Sequence, residues 1–120
     1  VRVVHFEDVR ASAVLLELLE VAGDHPSWRV GKVQALLEHD REHGTGYADT
    51  LRAYLDHWGD VAATARALGL HPNTLRYRVR RLVELSGLDL DDPEERLVAE
   101  LQVRLLVGDS ANPGRTVLEP

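Results

Sequence analysis

Apolar residues recur at helical spacing in six segments of this chain, and breakers or capping residues separate the segments. The segments are residues 12–22, 30–43, 47–58, 61–68, 72–85 and 93–107. No two of them alternate apolar and polar residues as a pair of neighbouring strands would. Residues 1–9 alternate only loosely and could form a short strand or an arm. The pattern therefore predicts an all-α fold, a bundle of five or six helices.

The apolar stripes indicate which side of each helix faces the core. They comprise Val14, Leu15, Leu18, Leu19 and Ala22 in the first helix, Val33, Leu36 and Leu37 in the second, Leu51, Tyr54, Leu55 and Trp58 in the third, and Leu97, Val98, Leu101, Leu105 and Leu106 in the last.

Local signals also define helix ends. Asp60 is a typical N-cap, and Asp92-Pro93-Glu94-Glu95 joins a cap, a proline at the first position and acids near the positive helix end.

The fourth and fifth segments are joined by a very short connection, Gly69-Leu70-His71. Helices that meet steeply across such a turn approach closely, and close approach requires small residues. The first of these helices supplies them as Ala62, Ala63, Ala65 and Ala67. Gly69 suits the positive φ of a tight turn, and Leu68 and Leu70 are placed to fill the angle between the helices. We therefore predict a helix-turn-helix with helices near 60–68 and 72–85.

The second helix of this pair has one apolar edge and a broad polar face. Leu75, Val79 and Leu82 fall on one side, while the opposite face carries Asn73, Thr74, Tyr77, Arg80 and Arg81, and Arg76 and Arg78 flank the apolar edge. An outward face rich in hydrogen-bond donors is what a helix entering the DNA major groove presents. The predicted DNA contacts are Asn73, Thr74, Arg76, Tyr77, Arg78, Arg80 and Arg81.

Structural alternatives exist for several of these residues. Asn73 and Thr74 could cap the helix rather than read bases, and Tyr77 could pack its ring against a neighbouring helix. A run of arginines is often only a solvated helix face, and helix position alone does not separate base contacts from phosphate contacts. His71 is expected to be an N-cap or turn residue rather than a DNA contact.

The charge is distributed unevenly along the chain. The formal net charge is −6, which argues against a nucleic-acid partner if it is read as an average. However, residues 60–88 carry a positive balance, whereas the segments before and after them are acidic. Four arginines fall between positions 76 and 81 without an intervening acid. Local charge determines the potential that a phosphate backbone meets, so duplex DNA is the expected partner.

Composition limits the remaining functions. The chain has no cysteine, which excludes disulfides, thiol catalysis and cysteine-ligated zinc, and no apolar run is long enough to span a bilayer. We expect a cytoplasmic protein without membrane contact or cofactor. The start at Val1 and the lack of methionine are typical of a fragment of a longer protein, or of one numbered after processing. The expected organisation is a linker or upstream-domain remnant with the first helix at 1–29, a DNA-binding domain at 30–107 and a flexible tail at 108–120.

The residues around the turn resemble a known family. The run His71-Pro72-Asn73-Thr74-Leu75-Arg76-Tyr77-Arg78, followed by Glu84-Leu85-Ser86-Gly87-Leu88-Asp89-Leu90-Asp91-Asp92-Pro93, is similar to the C-terminal helix-turn-helix of PucR/CdaR-type bacterial transcriptional regulators. The similarity covers roughly residues 36–106 and departs at Pro72, where that family often has arginine. It implies a regulator, typically of catabolic operons, whose effector is sensed by a separate N-terminal domain. Independently of the resemblance, a single unit with few cationic contacts would bind DNA weakly at physiological salt, so a homodimer on paired half-sites is expected, and no enzyme activity is predicted.

Two other interpretations come from the sequence. His39-Asp40-Arg41-Glu42-His43 matches the inverted zinc-peptidase string, but five-residue strings arise easily and no further acidic ligand in a supporting motif follows, so no catalytic or metal residue is predicted. The leucine-rich helices 12–21 and 93–107 could pair between chains, which would make this a helical interaction module that does not bind DNA.

Overall fold

The computed structural model describes residues 6–107, a range that is helical with no strand. Its helices are α1 (Phe6–Gly23), α2 (Lys32–His43), α3 (Tyr47–Asp56), α4 (Val61–Leu68), α5 (Pro72–Ser86) and α6 (Pro93–Leu106), with a short 3-10 helix, Pro26–Arg29, between α1 and α2. The predicted all-α bundle is confirmed, and the ends of α2 to α6 fall within two residues of the predicted ones. None of the helices in this range is long and apolar enough to cross a bilayer.

The N-terminal prediction was wrong for the residues that the structure describes. The helix begins at Phe6, so residues 6–9 form neither a strand nor an arm. Loose alternation over so few residues fits the start of a helix equally well. The longer run of apolar residues at helical spacing that follows favours a helix that begins before residue 12. Residues 1–5 and the predicted tail, 108–120, lie outside the described residues.

The main core lies where α2, α3, α5 and α6 meet. Its fully buried side chains include Val33 and Leu36 of α2, Leu51 of α3, Leu82 of α5 and Val103 of α6. The predicted stripes of α2 and α3 are thus confirmed at their centres. Burying a leucine completely stabilises the fold by about 1.5–3 kcal/mol, so this cluster holds the second helix of the pair against the rest of the domain.

The buried face of α6 differs from the predicted one. Ala99 and Val103 are buried, as is Val107 just beyond the helix, whereas Leu97 is 57% exposed and Val98 and Leu101 are also exposed. Apolar residues lie nearly all round this helix, so their spacing does not single out one face. The small side chain of Ala99 lets α6 approach the core closely, and this tertiary contact decides the orientation.

Three further stripe residues were misplaced. In α1, Leu15, Leu19 and Ala22 are half-buried as predicted, but Val14 and Leu18 stand exposed. Trp58 lies beyond the end of α3, with φ at 58°, and is 97% exposed. The helix ends at Asp56 because the next residues form the turn into α4, which takes Trp58 out of the apolar stripe.

Candidate nucleic-acid interface

The turn between α4 and α5 has the tight geometry that the sequence predicts. Gly69 adopts a left-handed conformation with φ at 68°, and the backbone N–H of Leu70 donates to the Ala65 carbonyl at 2.8 Å. Asp60 caps the start of α4, because its side chain accepts from the Ala63 N–H at 3.0 Å. Both predicted roles are confirmed, and α4 packs directly on α5.

The small residues of α4 contribute less than predicted. Ala65 is buried in the angle between the helices, but Ala62 and Ala67 are exposed. The other fully buried residue of α4 is Thr64, whose hydroxyl donates to the Asp60 carbonyl at 2.6 Å. That bond satisfies the hydroxyl within its own helix, so Thr64 packs like a small apolar residue.

The start of α5 is capped by a histidine. The Nδ1 atom of His71 accepts from the Asn73 N–H at 3.0 Å, and Pro72 occupies the first helical position, where its missing N–H costs nothing. The predicted cap role of His71 is confirmed. Asn73 and Thr74 are therefore not needed as caps, and both side chains are exposed at the end of α5 that follows the turn.

The division of α5 into an apolar edge and a polar face is confirmed. Leu75 and Leu82 are fully buried and Val79 is half-buried. The exposed residues of the helix include Asn73, Thr74, Arg76, Tyr77 and Arg80, and Arg81 is partly exposed. The face thus presents two short polar side chains near its N-terminus, with an aromatic and three arginines further along.

Three of the arginines on α5 keep their guanidinium groups near solvent. Arg76 donates from Nη1 to the Asn73 side-chain oxygen at 2.8 Å, and Arg80 lies over the Tyr77 ring, 5.6 Å from its centroid. Arg81 approaches Glu84 at 3.7 Å, on an exposed part of the helix. Surface pairs of this kind contribute little, roughly 0–1 kcal/mol, so they leave these cations available to an external anion.

Arg78 is placed differently. Its Nη2 donates to the Thr45 carbonyl at 2.6 Å, its Nε donates to the Thr50 hydroxyl at 3.0 Å, and its guanidinium carbon lies 4.8 Å from the centroid of the Tyr47 ring. The structure therefore directs this side chain inward, to the turn between α2 and α3. A charge run in the sequence does not show this, because the partners lie about thirty residues earlier in the chain.

The segment resembling a zinc-peptidase string has structural contacts. Asp40 accepts from the N–H groups of Tyr47 and Ala48, each at 2.8 Å, and from the Thr45 hydroxyl, so it caps α3 from the preceding helix. His39 Nδ1 bonds the Thr45 hydroxyl at 3.1 Å and its ring stacks on His43. Within residues 6–107, no group of three His, Cys, Asp or Glu residues is arranged to hold a metal ion.

A helix-turn-helix whose second helix exposes arginines defines a class of protein, the DNA-binding domains of transcription regulators. Residues 47–105 match the family model described as the PucR C-terminal helix-turn-helix domain. The chain therefore carries the C-terminal helix-turn-helix domain of the PucR family of transcriptional regulators.

Curated relatives agree with this assignment. The chain is 33% identical over 105 residues to the purine catabolism regulatory protein of Bacillus subtilis, which covers 88% of this chain and 19% of that protein. It is 43% identical over 56 residues to the carbohydrate diacid regulator of Escherichia coli, and this match covers 47% of this chain and 14% of that protein. It is 41% identical over 70 residues to an uncharacterised protein of Mycobacterium tuberculosis, and this match covers 58% of this chain and 16% of that protein.

The chain thus spans about a fifth or less of the length of these three relatives. No solved structure matches it.

Proposed function

We propose that residues 30–107 bind duplex DNA sequence-specifically and that α5 enters the major groove. The exposed face of α5 carries this proposal, because it combines amide, hydroxyl and guanidinium donors on a helix whose opposite edge is fixed in the core. An α-helix fits the major groove, where base pairs present distinct patterns of donors and acceptors.

The positions along α5 suggest separate tasks. The first residues of a recognition helix approach the base edges most closely, which favours Asn73 and Thr74 as base contacts. Arg80 and Arg81 project from the same face and can meet bases or phosphates, with Tyr77 beside them at 53% exposure. Arg76 lies at the edge of that face, where a phosphate contact is expected.

We further propose that the DNA-bound form is a homodimer. One helix-turn-helix with a few cationic contacts binds weakly at physiological salt, whereas two copies on half-sites about 34 Å apart bind together. In a longer cytoplasmic protein, a separate N-terminal domain would sense an effector and control this binding. The lengths of the relatives and the names of two, regulators of purine catabolism and carbohydrate diacids, support a role of this kind.

Selection of bound sites from random duplexes tests sequence-specific binding, and the spacing of any palindrome reports the dimer. On the selected duplex, R80A combined with R81A should weaken binding at least tenfold. It should also reduce the slope of log K against log salt by about 0.9 for each of the two arginines that contacts a phosphate, to a maximum of about 1.8. R96A, an arginine on α6, is the control and should leave both quantities unchanged. Unchanged affinity and slope in the double variant would contradict the proposal.

A second candidate is a helical interaction module that does not bind DNA. The apolar side chains exposed on α1 and α6 favour it, among them Leu16, Leu18, Leu97 and Val98. Exposed apolar clusters on a small domain often mark contact surfaces. A stable oligomer without salt-sensitive affinity for any duplex would support this candidate over the first.

A further inference from the structure

Arg78 links the middle of α5 to the beginning of α3. Both its Nε and its Nη2 are used in hydrogen bonds to Thr50 and Thr45, and its guanidinium faces the Tyr47 ring. Tyr47 and Thr50 are buried, and Arg78 itself is only partly exposed. We call this set of contacts the Arg78 clasp: Arg78 with Thr45, Tyr47 and Thr50.

The acceptors of the clasp are themselves held in place. Asp40 binds the Thr45 hydroxyl and the first two N–H groups of α3, which fixes the turn from which the Thr45 carbonyl projects. The Thr50 hydroxyl donates its proton to the Gly46 carbonyl at 3.2 Å, so its oxygen is free to accept the hydrogen bond from Arg78 Nε. Gly46 borders the clasp: a Cβ there would make only an ordinary contact with Nη2, at 3.6 Å, so the position favours glycine for its positive φ of 68° rather than for space.

The clasp contains no carboxylate. Arg81 has Glu84 nearby, whereas within residues 6–107 the partners of Arg78 are a carbonyl, a hydroxyl and a ring. A planar guanidinium donates in two fixed directions at once, which a lysine ammonium does not reproduce. The arrangement therefore uses the shape of arginine and not only its charge.

We propose that Arg78 is a positioning residue, which sets the angle of α5 on α3 so that the exposed face reads DNA in one register, and that it makes no phosphate contact. The proposal rests on the proposed function. A helix anchored at Leu75 and Leu82 by apolar contacts can still rotate slightly, and a reading surface displaced by about 1 Å loses base contacts before it loses phosphate contacts. The clasp supplies the directional contact that restrains this rotation.

Four variants, R78K, T50V, R78A and R78A combined with T50V, separate positioning from a phosphate contact. Each is measured on a duplex selected from random sequence and on a random duplex of equal length. R78K keeps the charge but not the two fixed donors, and T50V removes one acceptor without changing any charge. Each should reduce specific affinity about tenfold, while affinity for the random duplex and the salt slope stay at the wild-type values. R78A combined with T50V should be no weaker than R78A alone, because both changes break the same clasp.

A phosphate contact predicts the opposite results. R78K would then restore most of the binding lost in R78A, T50V would bind like wild type, and R78A would lower the salt slope by about 0.9 on both duplexes. Any of these outcomes, in variants whose circular dichroism shows the wild-type helix content, would overturn the positioning role.

The Arg78 Nε–H resonance in 15N-labelled protein tests the clasp without reference to DNA binding. In the free protein this proton should exchange slowly, because it is hydrogen-bonded to Thr50, and its shift should be unchanged when the selected duplex is added. Fast exchange in the free protein, or a large shift on adding DNA, would overturn the clasp. A slowly exchanging signal together with no affinity for any duplex would overturn the proposed function instead, so the two failures are distinguishable.

Discussion

Trp58 adopts a backbone conformation that is strained for a tryptophan. Its φ of 58° lies in the left-handed region, and Gly59 follows at 73°. Together these two residues let the Gly59 N–H donate to the Tyr54 carbonyl at 2.8 Å, which closes the end of α3 and directs the chain into α4. For a residue with a Cβ, this conformation costs roughly 1–2 kcal/mol. The indole is almost wholly exposed, so burial recovers little of that cost.

Replacing Trp58 by glycine should stabilise the domain. W58G removes the left-handed penalty but adds chain entropy to the unfolded state, and the net gain should be about 0.5–1 kcal/mol in the free energy of unfolding. W58A is the matched control, because alanine also lacks the indole yet keeps the strain, and it should unfold like wild type. Urea titrations of the three proteins give the comparison. Equal stability of W58A and W58G would show that the backbone at this position is not strained.

Single residues differ in how far the sequence reveals their roles. Gly69, Asp60 and His71 could be assigned because a turn or a cap involves only residues a few positions away. Arg78 and Asp40 could not, because their partners are brought close only by the packing of α2 and α3 against α5. In the sequence, Arg78 is indistinguishable from the arginines around it.

At the scale of elements, the start of α6 is fastened by Glu95. Its carboxylate accepts from the Asp89 N–H in the preceding loop and pairs with Lys32 of α2 at 2.9 Å. The hydrogen bond from Asp89, followed by the contacts with Lys32, holds the pKa of Glu95 below its ordinary value of 4.5. The charged carboxylate is thus more favourable in the folded than in the unfolded chain.

This lowered pKa makes part of the stability dependent on pH. The contribution of Glu95 is fully present above pH 4.5, the ordinary value, and is lost as the pH falls through the lower pKa of the folded state. Wild type should therefore melt at a higher temperature than E95Q near neutral pH, and the difference should shrink below pH 4.5. E94Q, the same change on the adjacent residue, also removes one acid from the first turn of α6 but keeps both contacts of Glu95, so its difference from wild type should be smaller than that of E95Q. A difference in melting temperature between wild type and E95Q that stays the same at every pH would contradict this assignment.

Helix positions and helix faces were not equally predictable. Caps, prolines and glycines act locally, so the starts of α4, α5 and α6 follow from a few residues each. The buried face of α6 does not follow in this way. Leu97, Val98 and Ala99 point in three different directions around the helix, and packing against the neighbouring helices determines that Ala99 is the one buried. The same holds for α1, whose apolar residues surround it on most sides.

At the scale of the whole molecule, the basic surface and the core are both confined to part of the chain. Four arginines lie within six positions of one another on α5, in a chain that is acidic overall, so attraction to a phosphate backbone is strongest at that helix. The core cluster draws on α2, α3, α5 and α6, and among the side chains that the structure describes none of its members belongs to α1. Helix α1 packs mainly on α6 and on the 3-10 helix, outside that cluster.

The DNA-binding unit should therefore fold without α1. A fragment of residues 30–107 keeps every helix that contributes to the core cluster, and it should unfold cooperatively in urea. Its stability should be lower by about 2–4 kcal/mol, since α1 contributes the half-buried Leu15 and Leu19 and covers part of α6. Because α5 keeps all of its supports, affinity for the selected duplex should stay within about threefold of that of the whole chain.

A shorter fragment provides the control for that experiment. Residues 60–107 retain the helix-turn-helix and α6 but lose Val33, Leu36 and Leu51, three of the fully buried side chains of the core. They also lose Thr45 and Thr50, so Arg78 has neither of the acceptors of the Arg78 clasp. This fragment should show no cooperative transition. If the 30–107 fragment were equally unfolded, α1 would be an integral part of the domain, and the boundary proposed near residue 30 would have to move to the start of that helix.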